Sequence, residues 1–379
     1  MKILMVSMFA NHFFNWTNQL KDSGHEVYWI DVFDNGAEVN KIGWVHQSVN
    51  WKRRVDFPGR QTLKLKFPKL YKGIQVFNER KLSDIVEKKI REIEPDIVQS
   101  FVLFSACAPI LKVMNKYPDL KWVYSAWGND LYFFQNDPDY LKDIRLVLPR
   151  VNYMFADCLR DYEIAKKYGF TGKFLGVYPG GGGYDFQLEN EIKSVEERQV
   201  ILIKGYQDLF GECIPVLKAI QSVKSQLDNF EIVVFGAEKE AIKYFENSEL
   251  VNYSNFKLYQ KIGRNEVMTL MGKSLIFIGN SISDGMPNTL LEAIIMGAFP
   301  IQSNPGGVTE EIIEDQKNGF LIQDPLNVDE ISKLILKAIN NKSFIEAAVE
   351  FNFKEVKPKL ERKFVRQEVL KKYSFIENY

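Results

Sequence analysis

The chain is poor in the residues that most often build metal and redox sites, with three cysteines and three histidines among 379 residues. Cys107, Cys158 and Cys213 lie 51 and 55 residues apart, which fits neither a disulfide framework nor a C-x-x-C metal knuckle. They read as reduced, packed thiols of a cytosolic protein. His12, His25 and His46 form no H-x-x-x-H or H-E-x-x-H pattern, which argues against a histidine-based zinc site. Net charge is also missing: 49 Lys+Arg are cancelled by 49 Asp+Glu, so nothing global marks a nucleic-acid binder. No apolar run approaches the roughly 18 to 20 residues that span a bilayer. Met1-Lys2 and the run Ile3 to Ala10 carry one positive charge and no small-residue cleavage site, so this start reads as a first strand rather than a signal peptide. The expectation is a soluble, cytoplasmic protein.

What is present is an ordinary globular mixture, 46% hydrophobic and 26% charged, long enough for two domains or one large α/β barrel. Lys2 to Ser7 is an apolar strand, Asn15 to Ser23 a helix stopped at Gly24, and Glu26 to Ile30 a strand. Leu82 to Ile93 (helix), Pro95 to Ser100 (strand), Ala108 to Tyr117 (helix) and Lys121 to Ser125 (strand) continue the alternation that predicts a parallel sheet covered on both faces. Four glycines, Gly180 to Gly183, and the acidic stretch Gln187 to Arg198 read as an interdomain linker. A second series follows with strands at Val200 to Lys204, Phe230 to Gly236, Leu275 to Gly279 and Ala298 to Ser303. The tail, residues 359–379, sets Leu360, Phe364, Val365 and Val369 on one stripe of a terminal helix.

The densest chemistry lies between Gly279 and Gly307. Asp284-Gly285 closes a loop after a strand, Pro287 suits a first helical turn, and Leu290, Leu291, Ala293, Ile294 and Ile295 make a buried helix ended by Gly297. The backbone N–H groups around Met286, Pro287, Asn288 and Thr289 then face outward at a helix start, which favours a phosphate. Asp284 and Glu292 are eight residues apart, a little over two turns, so both carboxylates can face one cleft. A capping Asp before a buried helix with a surface Glu accounts for the same residues.

Asp284-Gly285-x-Pro287-Asn288-x-x-Leu291-Glu292-Ala293, Gly297-x-x-Pro300, Gly306-Gly307 and Gly319-Phe320-Leu321 with Asp324-Pro325 resemble the E-x7-E signature of retaining glycosyltransferases of family 4. Pro95-Asp96-Ile97-Val98 and Trp127-Gly128-Asn129-Asp130 fall where that family has its P-D-V-V strand and H-G-x-D loop. The resemblance implies the GT-B fold: two Rossmann-like domains facing a central cleft, residues 1–185 for the acceptor and 186–358 for the nucleotide sugar, with the helix of about 359–379 crossing back. It implies sugar transfer with retention from a UDP- or GDP-sugar to a sugar or lipid-linked oligosaccharide, in polysaccharide or glycolipid synthesis, with no cofactor and no metal. Glu292 would hold the ribose, Asp284 the donor sugar, and the amides near Met286 to Thr289 the phosphates. A nucleotide-sugar epimerase of the same fold and a non-catalytic sugar-nucleotide binder remain alternatives.

The chain departs from the family at several positions. Asp284 is shorter than the usual Glu. Trp127 replaces the His and can stack on a sugar but cannot exchange a proton. The family's glycine-rich loop after the first strand is replaced by Met8 to Phe14, and its usual Arg and Lys are missing around Lys204-Gly205-Tyr206 and Gly211-Glu212. A diphosphate leaving group still needs a cation. Lys204, beside Gly205 at a strand end, is the first candidate and Arg264 the second, although Arg264 falls where the family holds the base. Asp130 is a catalytic candidate, or else caps the helix beginning near Leu131. Asn11, His12, Trp127 and Gly128 are acceptor-side candidates, His12 being placed in the loop after the first strand.

Residues 51–81 carry ten basic residues against Asp56 and Glu79, interleaved with Trp51, Phe57, Phe67, Tyr71 and Phe77. This segment fits an anionic membrane surface or a diphosphate-lipid acceptor, or a solvated excursion with its aromatics packed beneath. Charge is uneven along the chain: +5 over residues 1–185, −9 over 186–350 and +4 over 351–379. A tail returning to the first lobe would make the lobes +9 and −9.

Overall fold

A computed structural model describes residues 1–186 and 189–378. The chain divides into two compact units, Met1–Asp157 with Asp161–Gly182 and Glu368–Tyr379, and Cys158–Arg160 with Gly183–Gln367. Each is an α/β layer structure around a parallel sheet.

The first unit has strands β1 (Lys2–Ser7), β2 (Glu26–Asp31), β3 (His46–Ser48), β4 (Ile97–Phe101), β5 (Lys121–Ala126), β6 (Tyr153–Ala156) and β7 (Lys173–Val177). Between them run helices α1 (Asn11–Thr17), α2 (Arg60–Lys66), α3 (Pro68–Asn78), α4 (Leu82–Ile93), α5 (Leu111–Lys116), α6 (Pro138–Val147) and α7 (Leu159–Lys167). The sheet order is β3-β2-β1-β4-β5-β6-β7, so β1 lies inside, with Leu4 opposite Tyr28 on one side and Val98 on the other. Ile3 to Val6 are fully buried, because a parallel strand is covered on both faces and gains nothing from polar alternation. Helix α4 buries Ile85, Val86, Ile90 and Ile93, one face at helical spacing.

The second unit has strands β8 (Val200–Lys204), β9 (Glu231–Phe235), β10 (Phe256–Tyr259), β11 (Ser274–Gly279), β12 (Phe299–Ser303) and β13 (Phe320–Ile322), ordered β10-β9-β8-β11-β12-β13. Its helices are α8 (Cys213–Ser222), α9 (Lys239–Glu246), α10 (Arg264–Lys273), α11 (Asn288–Ile295), α12 (Val328–Ile339), α13 (Lys342–Phe351) and α14 (Lys357–Leu360). Ile203 pairs with Val234 of β9 and Ile278 of β11. The last helix, α15 (Arg362–Asn378), begins in this unit and ends in the first.

Four expectations need correction. Helix α1 starts at Asn11, not Asn15, because Phe13, Phe14, Trp16 and Thr17 are buried together and outweigh the polar Asn11-His12 start; His12 is therefore helical. The acidic stretch is not a free linker. Gln187 and Leu188 lie outside the described residues, but Val195 packs in the second core, a capping box joins Ser194 to Glu197, and Arg198 is buried with its guanidinium on the carbonyls of Lys193 and Gly297. Phe364 is 44% exposed; the buried stripe of α15 is Val365, Val369, Tyr373 and Ile376. Finally, residues 351–367, which carry a net +4, stay with the second unit, so the units carry +5 and −5 rather than +9 and −9. All three cysteines are buried and stand outside any disulfide. Among the described residues no helix is long and apolar enough to cross a membrane.

Tyr373 places a polar contact inside the apolar face of the end of α15. The Tyr373 hydroxyl donates to Gln99 Oε1 at 2.5 Å and accepts from Trp16 Nε1 at 3.2 Å. Tyr373→Phe leaves both partners unsatisfied in the core and is expected to cost about 1–3 kcal/mol, read as a lower urea midpoint; an unchanged midpoint would show that the contact contributes nothing.

Candidate functional site

In both sheets the first strand lies inside, flanked by the second and the fourth, so chain crossovers leave for opposite faces there. Ligands of open α/β sheets bind where the carboxyl ends of such strands diverge. In the second unit that point lies between β8 and β11. Lys204 ends β8, and the loop after β11 runs through Asp284 to the start of α11. Helix α11 is buried except at Asn288, Thr289 and Glu292, which are half-exposed.

Two ion pairs order this point. Lys204 Nζ lies 3.7 Å from Asp284 Oδ2 and 4.6 Å from the centre of the Tyr206 ring. Arg264, the first residue of α10, donates from Nε and Nη2 to Glu292 Oε1 at 2.9 and 2.8 Å. Burial pushes the Asp284 carboxyl up, opposed by Lys204, the Gly285 N–H and Arg160; burial also raises Glu292, opposed by Arg264. Burial raises the Tyr206 hydroxyl, helped by Glu238 and Asp208 and, less, by Asp284 and Glu292. Asp284 lies in the loop that enters α11 and Glu292 on α11 itself, each beside its own cation.

At the start of α11 the N–H groups of Asn288 and Thr289 have no acceptor within the helix, since its first internal bonds run from Leu290 and Leu291 to Pro287. The Thr289 hydroxyl is buried and has no hydrogen-bond partner among the described residues. Gly205 is needed for a different reason from ligand approach: a Cβ there would lie 2.7 Å from the Ala237 backbone.

Sequence reasoning missed three neighbours. Arg160 donates from Nη2 to the Asp284 carbonyl at 2.8 Å and from Nη1 to the Pro305 carbonyl at 2.7 Å, tying the Asp284 loop to the Gly306-Gly307 turn. Glu311 in turn accepts from the Leu159 and Arg160 backbone N–H groups at 2.6 and 2.9 Å. The Tyr184 hydroxyl donates to Asn288 Oδ1 at 2.6 Å, and Tyr206 lies beneath the Lys204 ammonium. Arg160 and Tyr184 stand more than 100 residues from their partners, so no local spacing signals them.

In the first unit, Asn11 and His12 open α1 after β1, and Trp127-Gly128 follows β5. The Trp127 ring stacks obliquely on Phe101 at 4.8 Å. The Gly180-Gly181 backbone passes so close that a Cβ on Gly180 would lie 3.4 Å from the Trp127 ring and one on Gly181 3.7 Å from His12. Trp127, His12 and the glycine run are thus brought together. Burial lowers the His12 pKa, favouring the neutral imidazole. Gly128 adopts φ 61 and donates to Asp157 Oδ2 at 2.8 Å.

Asp130 is not a ligand-facing catalyst. It is only 2% exposed, and its carboxylate accepts from the Leu103 N–H (2.7 and 2.8 Å) and the Tyr124 hydroxyl (2.5 Å). Those bonds hold the turn at Val102, a β-branched residue at φ 71. Asp130 is a structural clamp within the first unit.

The geometry of both sheets is that of known proteins. Residues 212–354 match the family model of glycosyl transferases group 1. The matched segment takes in Arg264, Asp284 to Thr289 and Glu292, and leaves out Lys204, Arg160 and Tyr184. No curated protein matches the chain significantly by sequence. In fold, the chain is similar to sucrose-phosphate synthase from Thermosynechococcus elongatus, with TM-score 0.73, 10% identity, and 100% of this chain and 99% of that chain covered. It is also similar to Anabaena HepE solved with UDP and glucose, with TM-score 0.68, 13% identity and 99% of each chain covered. A glycosyltransferase from Rickettsia africae ESF-5 gives TM-score 0.66 and 13% identity, over 99% of this chain and 98% of that one. At these identities the likeness is one of fold, the two-Rossmann GT-B architecture.

Burial holds the Asp130 pKa up at about 7 against the bonds from Tyr124 and Leu103. The unfolded chain releases this proton near pH 3.9. The folded state therefore binds the extra proton in between, and the stability it contributes is full below about pH 4 and lost as pH rises to about 7. Relative to wild type, Asp130→Asn is expected to gain stability over that window, by a few kcal/mol at most. Urea midpoints at pH 4.5 and 7.5 check this; a constant difference would contradict it.

Proposed function

We propose that this protein is a retaining glycosyltransferase that takes its sugar from a nucleoside diphosphate, UDP or GDP. The observation that carries the reading is the start of α11, where two backbone N–H groups without helical acceptors and the unpartnered Thr289 hydroxyl stand in the same unit as Lys204, Asp284 and Glu292. Donors without acceptors at a helix start are what a diphosphate satisfies. The glycosyl transferases group 1 match over residues 212–354 supports the same reaction class.

In this reading Glu292, oriented by Arg264, binds the ribose diol, and its second oxygen is outside the Arg264 bonds. Asp284 orients the donor sugar. Lys204, held by Asp284 and the Tyr206 face, neutralises the charge that grows on the departing diphosphate, the role for which the chain lacks the more usual Arg and Lys pair. Retention follows a front-face course in which the departing phosphate takes the acceptor hydroxyl's proton. No protein base is then needed, which agrees with Trp127 standing where the family has a histidine. The first unit would receive the acceptor, a glycan or a lipid-linked oligosaccharide in polysaccharide or glycolipid synthesis, with Trp127 stacking on a sugar face beside His12.

Incubation with a panel of nucleotide sugars separates the readings: free nucleotide and glycosylated acceptor mark a transferase, a new sugar isomer an epimerase, and neither a binder. UDP or GDP is expected to raise the melting temperature of the wild type, as any native-state ligand does. Glu292→Ala should abolish that shift, whereas Lys204→Ala should keep most of it and lower kcat about 100- to 1,000-fold. An undiminished shift in Glu292→Ala would overturn the site.

A further inference from the structure

Between β3 and α4 the chain leaves the sheet for α2 and α3, and this excursion is firmly rooted. The Trp51 indole donates to the Asp31 carbonyl at 2.8 Å, the Arg80 guanidinium to the Trp51 carbonyl at 2.8 Å, and the Asn78 side chain pairs with both backbone groups of Val55 at 2.9 and 2.8 Å. Its outer part is not packed. Helix α2 buries no residue and α3 only Gln75. Leu65 (81%), Val76 (76%) and Phe77 (83%) stand in solvent, with Phe67 and Leu70 also exposed, among the exposed Lys64, Lys66, Lys69 and Lys72. Phe67 and Phe77 thus do not lie beneath a solvated excursion as one sequence reading had it.

Single exposed apolar side chains are ordinary, but five large ones within thirteen residues are a concentration of the kind that marks a binding surface. The occupant must match both its apolar character and a net charge of +8 over residues 51–81. A second copy of the same arm would repel it, and a nucleic acid gives exposed leucine and valine nothing to bury against. An anionic bilayer satisfies both: lysines meet headgroups while apolar side chains enter the acyl boundary.

We propose that α2 and α3 form an arm that attaches this protein to an anionic lipid surface by inserting Leu65, Phe67, Leu70, Val76 and Phe77. The proposal draws on the glycosyltransferase reading only for what the bilayer would present, a lipid-linked acceptor; attachment itself is independent of it.

The test is co-sedimentation of the full chain with vesicles of phosphatidylcholine alone or with 30% phosphatidylglycerol. Wild type is expected to pellet with the anionic vesicles only. Replacing Lys64, Lys66, Lys69 and Lys72 by Gln should weaken binding about fivefold per lysine, several hundredfold together. Replacing Leu65, Phe67, Val76 and Phe77 by Ser should also release the protein while its charge is unchanged. Wild type left in the supernatant, or either variant pelleting like wild type, would overturn the proposal. Since these side chains are exposed, both variants should keep the wild-type melting temperature. The melting shifts induced by UDP and by GDP on the same samples separate the two ideas: pelleting with no shift from either nucleotide would sink the donor reading and leave the arm standing.

Discussion

The structure depends on one topological constraint, met twice. A parallel strand needs a crossover, and that crossover is right-handed; when the first strand of a sheet lies inside it, successive helices must cover opposite faces. The loops after β1 and β4, and after β8 and β11, then turn away from each other at the carboxyl ends. Each divergence is a place where a ligand can meet backbone ends rather than core side chains. Lys204 and the Asp284 loop stand at one, and the start of α1 lies beside the other.

Within the second unit, the chemistry follows from placing charge where burial makes it matter. Asp284 and Glu292 are pushed toward protonation by burial and pulled back by Lys204, Arg160 and Arg264. Half-buried pairs of this kind cost desolvation, so they are better explained by the charge they present than by stability they add. Arg160 extends the arrangement by bonding two loop carbonyls at once, fixing the approach to α11 from a segment far away in sequence. The first unit spends its buried carboxylate differently: Asp130 is consumed in holding a strained turn, which is why a residue at a strand's carboxyl end need not be chemical.

Much of this was legible beforehand. Strand β8 was read as Val200 to Lys204 and α4 as Leu82 to Ile93, because continuous apolar runs and one-face spacing leave few alternatives. The eight-residue spacing of Asp284 and Glu292 lets both carboxylates face one cleft, an expectation that rests on spacing alone. The short strands β3, β7 and β13 were not legible, since three to five residues paired at a sheet's outer part carry little pattern of their own. Helix α1 was read four residues late because its polar first turn hid an aromatic face, and Phe364 was read as buried because a stripe drawn on sequence alone is off by one residue on a helix that packs through Val365, Val369 and Tyr373.

The sequence by itself determined the alternation of strand and helix, the two-unit organisation and the eight-residue spacing between Asp284 and Glu292, since periodicity and spacing are local properties. Only the tertiary structure decided that Asp130 is a clamp, that Arg160, Tyr184 and Tyr206 attend the site, and that residues 64–77 show their apolar side chains to solvent. Each of those turns on burial and on contacts between residues distant in the chain, and neither quantity is written in a one-dimensional pattern.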